Sequence, residues 1–169
     1  MLAPQAKLWP ASTQIATAAL KLLQVTNTDT IVDFGSGNGV ALLVAAQHPF
    51  NAKKAIGYEI HETRAEESRK SIADAGLSDV ITVYTGNALD ADVKKDEITC
   101  VYVYLVARGL ALLKPLLKKL ASRLPNGQSL RVVSVLYQIP EWAPLKSERC
   151  YTSDVIYSPL YLYEVRAGT

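Results

Sequence analysis

Hydrophobic positions recur along this chain with two alternating periods. Ile15, Ala18, Ala19, Leu22 and Leu23 stand at helical spacing and predict a helix over 12–24, capped by Ser12 or Thr13. T-I-V-D-F (30–34) is a β-branched and aromatic run that ends in glycines. Residues 39–47 are apolar on every side, which predicts a buried helix. A-I-G-Y-E (55–59) reads as a strand, 61–75 as a polar helix stopped by Gly76, and V-I-T-V-Y (80–84) as a third strand. Residues 98–106 form a near-continuous apolar β run, as a central parallel strand covered on both faces requires. A helix over 109–122 turns Lys114, Lys118 and Lys119 outward, with Pro115 as an expected kink or break. Another strand is predicted over 130–137. Two more, at 148–157 and 160–166, meet around Ser158-Pro159 with no helix between them. Strands alternating with helices predict an α/β architecture, a mainly parallel sheet with helices on both faces. The terminal hairpin adds an antiparallel strand at one edge.

The 169 residues, without repeat or linker, read as one domain able to bury its own core. A net charge of +2 is too mild to argue for a nucleic acid or an anionic membrane as partner. No stretch approaches the ~20 apolar residues of a membrane span, and the first ten residues hold no signal-peptide core. Cys100 lies in an apolar run and Cys150 in a polar one, so two free thiols in a reducing compartment are expected. The expected location is cytoplasmic; a mitochondrial protein trimmed of its targeting segment would read the same. His48 and His61 read as a helix end and as first-turn surface, and no metal-ligand cluster is visible.

The candidate chemistry starts at D-F-G-S-G-N-G (33–39), between a predicted strand and a predicted helix. Gly35, Gly37 and Gly39 allow a sharp turn and close backbone approach, and the helix start is expected to offer free N–H groups. Their G-x-G-x-G spacing lacks the extra residue of the dinucleotide fingerprint, and Val40 stands where its third glycine would be. With Asp33 in front, the loop suits a ligand without pyrophosphate that bears an α-amino group. Glu59, twenty residues past Gly39, closes the second strand and can accept from both hydroxyls of a ribose. T-G-N-A-L-D (85–90) closes the third strand, where Asn87 can reach an adenine edge. All three elements stand at the C-terminal ends of consecutive strands, where open α/β sheets bind ligands.

With these elements the sequence resembles the class I S-adenosylmethionine methyltransferases. L-W-P-A-S-T-Q (8–14), G-Y-E-I (57–60), V-Y-V-Y-L-V (101–106), L-L-K-P-L-L (112–117), R-V-V-S (131–134) and I-P-E-W-A-P (139–144) narrow the likeness. Over roughly residues 8–166 they resemble the small protein-lysine methyltransferases of archaea and their mitochondrial relatives, which act on the ATP synthase c subunit and the adenine nucleotide translocase. The resemblance implies a Rossmann-like fold with a seven-stranded sheet, its last strand antiparallel between its neighbours. It implies cofactor contacts at Asp33, Gly35, Ser36 and Gly37, at Glu59 and Ile60, and at Asn87 and Ala88. An N-terminal segment from Trp9 to Thr13 would fold over the cofactor, and the target lysine would arrive by Tyr104. The chain departs from those relatives at Ala107, Arg108 and Gly109, and at Val135 and Leu136.

The implied cofactor carries a methyl on a sulfonium, so the protein's main task is alignment. A lysine nucleophile must first lose a proton, at a cost of about 4.6 kcal/mol from pKa ~10.4 to pH 7. An apolar pocket and the sulfonium's charge both oppose the ammonium form, and water can take the proton. Aromatic rings can steer the ammonium by cation–π attraction, with Tyr104, Tyr102, Tyr137, Trp142 and Trp9 as candidates. Tyr102 and Trp142 fit core or loop packing at least as well, and Tyr102 and Tyr104 share a strand face. No N-P-P-Y or D-P-P-Y follows the fourth strand. The resulting expectation is a monomeric protein-lysine N-methyltransferase acting on a protein that presents a lysine. An RNA or small-molecule methyltransferase, a non-catalytic cofactor-binding module and a nicotinamide-binding domain are the alternatives.

Overall fold

The computed structural model describes residues 12–91 and 97–168. Trp9 therefore lies outside the described residues. Seven strands form one sheet in the order β3-β2-β1-β4-β5-β7-β6. They are β1 (Thr30–Phe34), β2 (Lys54–Glu59), β3 (Ile81–Thr85), β4 (Cys100–Val103), β5 (Leu130–Val135), β6 (Lys146–Tyr151) and β7 (Tyr157–Val165). β1 to β5 pair in parallel, whereas β7 runs antiparallel to both β5 and β6. The antiparallel strand is thus second from the edge, as the family resemblance implies, and not the edge strand that the pattern alone suggests.

Helices α1 (Thr13–Leu22), α2 (Val40–Ala46), α3 (Glu62–Asp74) and α4 (Ala107–Ala121) flank the sheet. The side chains of α1, α2 and α3 pack with Ile31, Ala55, Ile81 and Tyr102, while α4 packs with Val32, Ile56, Val101 and Val132. Odd and even strand positions therefore feed two separate cores, and both sheet faces are covered. Ser12 caps α1 by accepting from the Ile15 N–H at 3.2 Å. Gly76, at φ 69°, ends α3 as its position predicts. Cys100 is buried as expected; Cys150 is buried too, its thiol 3.8 Å from the Gln14 carbonyl oxygen.

Several boundaries differ from the sequence reading. The run predicted over 98–106 forms a strand only over Cys100–Val103, whose last pair is Phe34↔Val103. Beyond it β1 offers no partner, and Val106 becomes the N-cap of α4. Pro115 sits inside α4 without ending it. β5 stops at Val135, because Leu136 adopts φ 73°. The hairpin loop lies at 152–156, ahead of Ser158-Pro159. Thr152 N–H donates to the Ile156 carbonyl, and Ile156 N–H donates to Ser153 Oγ. Pro159 stands within β7 opposite Arg149, and its carbonyl accepts from the Leu136 N–H at 2.8 Å.

Candidate active site

The C-terminal ends of β1, β2, β3 and β4 point the same way, and the loops that leave them share one edge of the sheet. From β1, Gly35, Gly37 and Gly39 all take positive φ. Gly39 is required by packing: a Cβ there would stand 2.2 Å from Ser68 Oγ of α3. At Gly37 an added Cβ meets nothing within 4 Å, so this stretch of backbone faces open space. Leu105 closes over Gly35, with its Cδ2 3.1 Å from the position of an added Cβ.

The N–H groups of Ser36 and of the loop's three glycines are taken up within the fold. Gly35 and Ser36 donate to the Tyr58 carbonyl, Gly39 donates to the Ser36 carbonyl, and Gly37 donates to Glu59 Oε2 at 2.8 Å. Glu59 also accepts from the His61 N–H through Oε1, at 2.9 Å. The bonds from Gly37 and His61 hold the Glu59 carboxylate at the end of β2.

Asp33 and Glu59 are each only 4% exposed. Burial raises the Asp33 carboxyl well above the ordinary carboxylate range, and the Glu59 charge raises it further. Neither forms an ion pair with any described residue. Asp33 Oδ1, Ser36 Oγ and Tyr102 OH are buried without hydrogen-bond partners. Asp33 and Tyr102 are register neighbours on β1 and β4. Buried polar atoms are normally satisfied, so this cluster is built for something that brings donors and positive charge. S-adenosylmethionine fits it: it brings an ammonium and ribose hydroxyl donors to the two carboxylates, and the open backbone at Gly37 leaves room for close approach.

Ile60 is exposed beside Glu59, and Ala88 is half-buried in a 3₁₀ turn over Ala88–Asp90. Asn87 caps that turn, Oδ1 accepting from the Leu89 N–H at 3.1 Å, so its amide N–H₂ is the end left to meet a base. Asn87, Gly86, Tyr84 and Tyr58 border a cavity of about 510 Å³.

On the β4 side Tyr104 follows the strand end, half-buried against the α1–α3 core. Burial, with Tyr137 nearby, raises its phenol further, so it stays protonated at neutral pH. The exposed Tyr137 is held there by a turn that no motif signals. Leu136 at φ 73° reverses the chain, and Ser134 Oγ donates to the Tyr137 carbonyl at 2.8 Å. Tyr102 is buried, in keeping with core packing. Trp142 lies on the opposite sheet face against Tyr163, with Lys114 Nζ 5.8 Å from its ring centroid, so it takes no part in this site. Thr13 is exposed in the first turn of α1, next to β6, where Gln14 Nε2 donates to the Tyr151 carbonyl. No group of three or more His, Cys, Asp or Glu side chains among the described residues could hold a metal ion.

A family model described as the ANTKMT methyltransferase domain matches residues 33–146. The chain is 30% identical over 156 residues to a protein-lysine N-methyltransferase of Saccharolobus islandicus, covering 92% of this chain and 91% of that protein. A ribosomal protein L11 methyltransferase of Photobacterium profundum is 30% identical over 99 residues, 59% of this chain and 31% of that protein. An RNA methyltransferase from Salinibacter ruber, solved with S-adenosyl-L-homocysteine, superposes with a TM-score of 0.80 at 25% identity, covering 95% of each chain. The matched span begins at Asp33, the carboxylate on which the site turns, and runs through every strand end that builds it. This chain belongs to the ANTKMT methyltransferase-domain family and is an S-adenosylmethionine-dependent methyltransferase.

Proposed function

We propose that the protein transfers a methyl group to the side-chain nitrogen of a lysine in another protein. The observation that carries this reading is that Tyr104, with Tyr137 nearby, stands at the same sheet edge as two buried carboxylates that form no ion pair with any described residue. The 30% identity to a protein-lysine N-methyltransferase across nearly all of both chains supports the same substrate class.

When bound, S-adenosylmethionine supplies an electrophilic methyl group. Asp33 would take its ammonium, and Glu59, already oriented by Gly37 and His61, its ribose hydroxyls. Ile60, Asn87 and Ala88 would border the adenine. Ser36, with its unpartnered hydroxyl, and the backbone of Gly35 and Gly37 would line the remainder. Thr13 and Trp9 would belong to the segment covering it. The rings of Tyr104 and Tyr137 attract an approaching ammonium, and their apolar surroundings favour the neutral amine. As a neutral phenol, Tyr104 orients that amine through a hydrogen bond and leaves the proton to water. The chain would act as a monomer.

The test is transfer of labelled methyl from S-adenosylmethionine to a cell extract, followed by protease or nuclease digestion. Protease-sensitive label that yields methyl-lysine, and is absent with Glu59→Ala, is the expected result. The likeness to the Salinibacter ruber RNA methyltransferase favours a second reading, and label lost only to nuclease would establish it.

A further inference from the structure

The loop at 152–156 holds two strongly exposed apolar side chains next to each other, Val155 at 84% and Ile156 at 62%. Tyr151 and Tyr157 flank them, both exposed, with ring centroids 5.5 Å apart. Such a cluster at the tip of a hairpin is not needed by the fold, since neither Val155 nor Ile156 contributes to either core. Exposed apolar groups placed together mark a surface that something covers.

Its place in the sheet says what. β5 ends at Val135 opposite Leu160, and β7 begins at Tyr157, beyond that end. The loop therefore projects past the C-terminal edge of the parallel strands, the edge that carries Tyr104, Tyr137 and the glycine loop. The hairpin is anchored to the first turn of α1 through Gln14, which binds at Cys150 and Tyr151.

The charges select among occupants. The loop itself holds one charged residue, Asp154. On β6, Arg149 lies 4.8 Å over the Tyr157 ring, and Lys146 pairs with Glu148 at 2.6 Å. The tip therefore offers no excess of positive charge to a phosphate backbone or an anionic lipid. An acid among apolar groups instead complements a polypeptide that carries a cation next to apolar side chains.

We propose that the 152–156 loop is the docking finger for the substrate polypeptide, and that it selects target lysines flanked by apolar residues. This rests on the lysine reading above. Val155 and Ile156 bury the flanking apolar side chains while the lysine passes between Tyr104 and Tyr137.

The test uses two synthetic peptides, each with one central lysine, flanked by leucine and valine in one and by serine and glycine in the other. Wild-type protein is expected to methylate the apolar peptide with a kcat/KM about tenfold higher, through KM. The double variant Val155→Ser/Ile156→Ser should lose that preference, keeping its rate on the polar peptide and its affinity for S-adenosyl-L-homocysteine. Leu112→Ser, an exposed apolar residue removed from α4, should keep the preference. An unchanged preference in the double variant overturns the proposal. So does loop-dependent binding to phosphatidylcholine vesicles or to RNA with no loop-dependent peptide binding. Should neither peptide be methylated, the lysine reading fails. Anisotropy of the labelled apolar peptide then decides the docking finger by itself: binding lost in the double variant supports it, and binding equal in both proteins refutes it.

Discussion

Asp33 and Glu59 share a sheet edge and a degree of burial, yet differ in how the protein treats them. Glu59 has two backbone donors, while Asp33 Oδ1 has none. Removing Glu59 frees the Gly37 and His61 N–H groups and takes away an anionic acceptor. Glu59→Ala should therefore weaken S-adenosyl-L-homocysteine binding by about tenfold to a hundredfold, read by calorimetry. Asp33 carries a pH signature. Its folded carboxyl titrates above the 3.8 of an unperturbed aspartate, so the unfolded chain releases this proton more readily. Its ionisation opposes folding as pH rises from about 4 through the raised folded value. Asp33→Asn should gain stability relative to wild type over that window while losing affinity for S-adenosyl-L-homocysteine. A ligand ammonium favours the charged carboxylate, so wild-type affinity should rise with pH through the same range, and the variant's should rise less.

The glycines of the β1–α2 connection separate two requirements that one motif conceals. At Gly39 a Cβ collides with Ser68 of α3 and φ is 79°; at Gly37 there is space, and φ is 53°. Gly39→Ala should cost about 2–3 kcal/mol in urea unfolding, and Gly37→Ala only about 1 kcal/mol. If Gly37 faces the cofactor, its variant loses more affinity than its modest loss of stability accounts for. This is also where local sequence signals reach and where they stop. Strand-then-glycine spacing, the acid at Asp33 and the acid twenty residues past Gly39 are local signals, and the fold brings the residues they mark together at the neighbouring ends of β1 and β2. That Gly39 answers to α3 depends on a contact across the fold and leaves no local trace. Leu136 is equally silent, because leucine rarely adopts positive φ and it is held there by its own bond to Pro159, by core packing and by the Ser134–Tyr137 bond across the turn. The hairpin loop lies ahead of its expected place for a related reason. Ser158-Pro159 has the composition of a turn, but Thr152 and Ser153 supply the bonds that make one, and Pro159 can stand in β7 because the ladder uses its carbonyl. β4 is shorter than its apolar run, because that run continues past the point where β1 stops pairing.

Across the whole molecule the two edges of the sheet are treated in opposite ways. At the C-terminal edge polar atoms stand buried and unpartnered. At the N-terminal edge Arg131 of β5 binds Asp29 and donates to the carbonyls of Leu23 and Gln24, at the end of α1. Asp29 in turn accepts from Thr99 ahead of β4 and from the Thr26 N–H. Burial pushes the Asp29 carboxyl up, but the bonds from Thr99 and Thr26 and the Arg131 charge together bring it below its ordinary value. A lowered folded pKa adds stability above the unfolded value of 3.8, and that stability is lost as pH falls from there through the folded pKa. The network joins one helix to three strands far from the chemistry, and breaking it should separate stability from binding. Arg131→Met leaves a buried carboxylate unpaired and should cost about 3 kcal/mol, or roughly 6–12 °C in melting temperature. Its acid unfolding should also be shallower below about pH 4. The additional melting shift on saturation with S-adenosyl-L-homocysteine should be preserved, because that shift depends on ligand concentration and affinity and not on the starting stability. Glu59→Ala should show the converse, a smaller change in the free protein and a reduced ligand shift. If Arg131→Met also abolished the ligand shift, the two edges would be coupled through β1 and β4, and the division between a rigid base and a site kept open for its ligand would not hold.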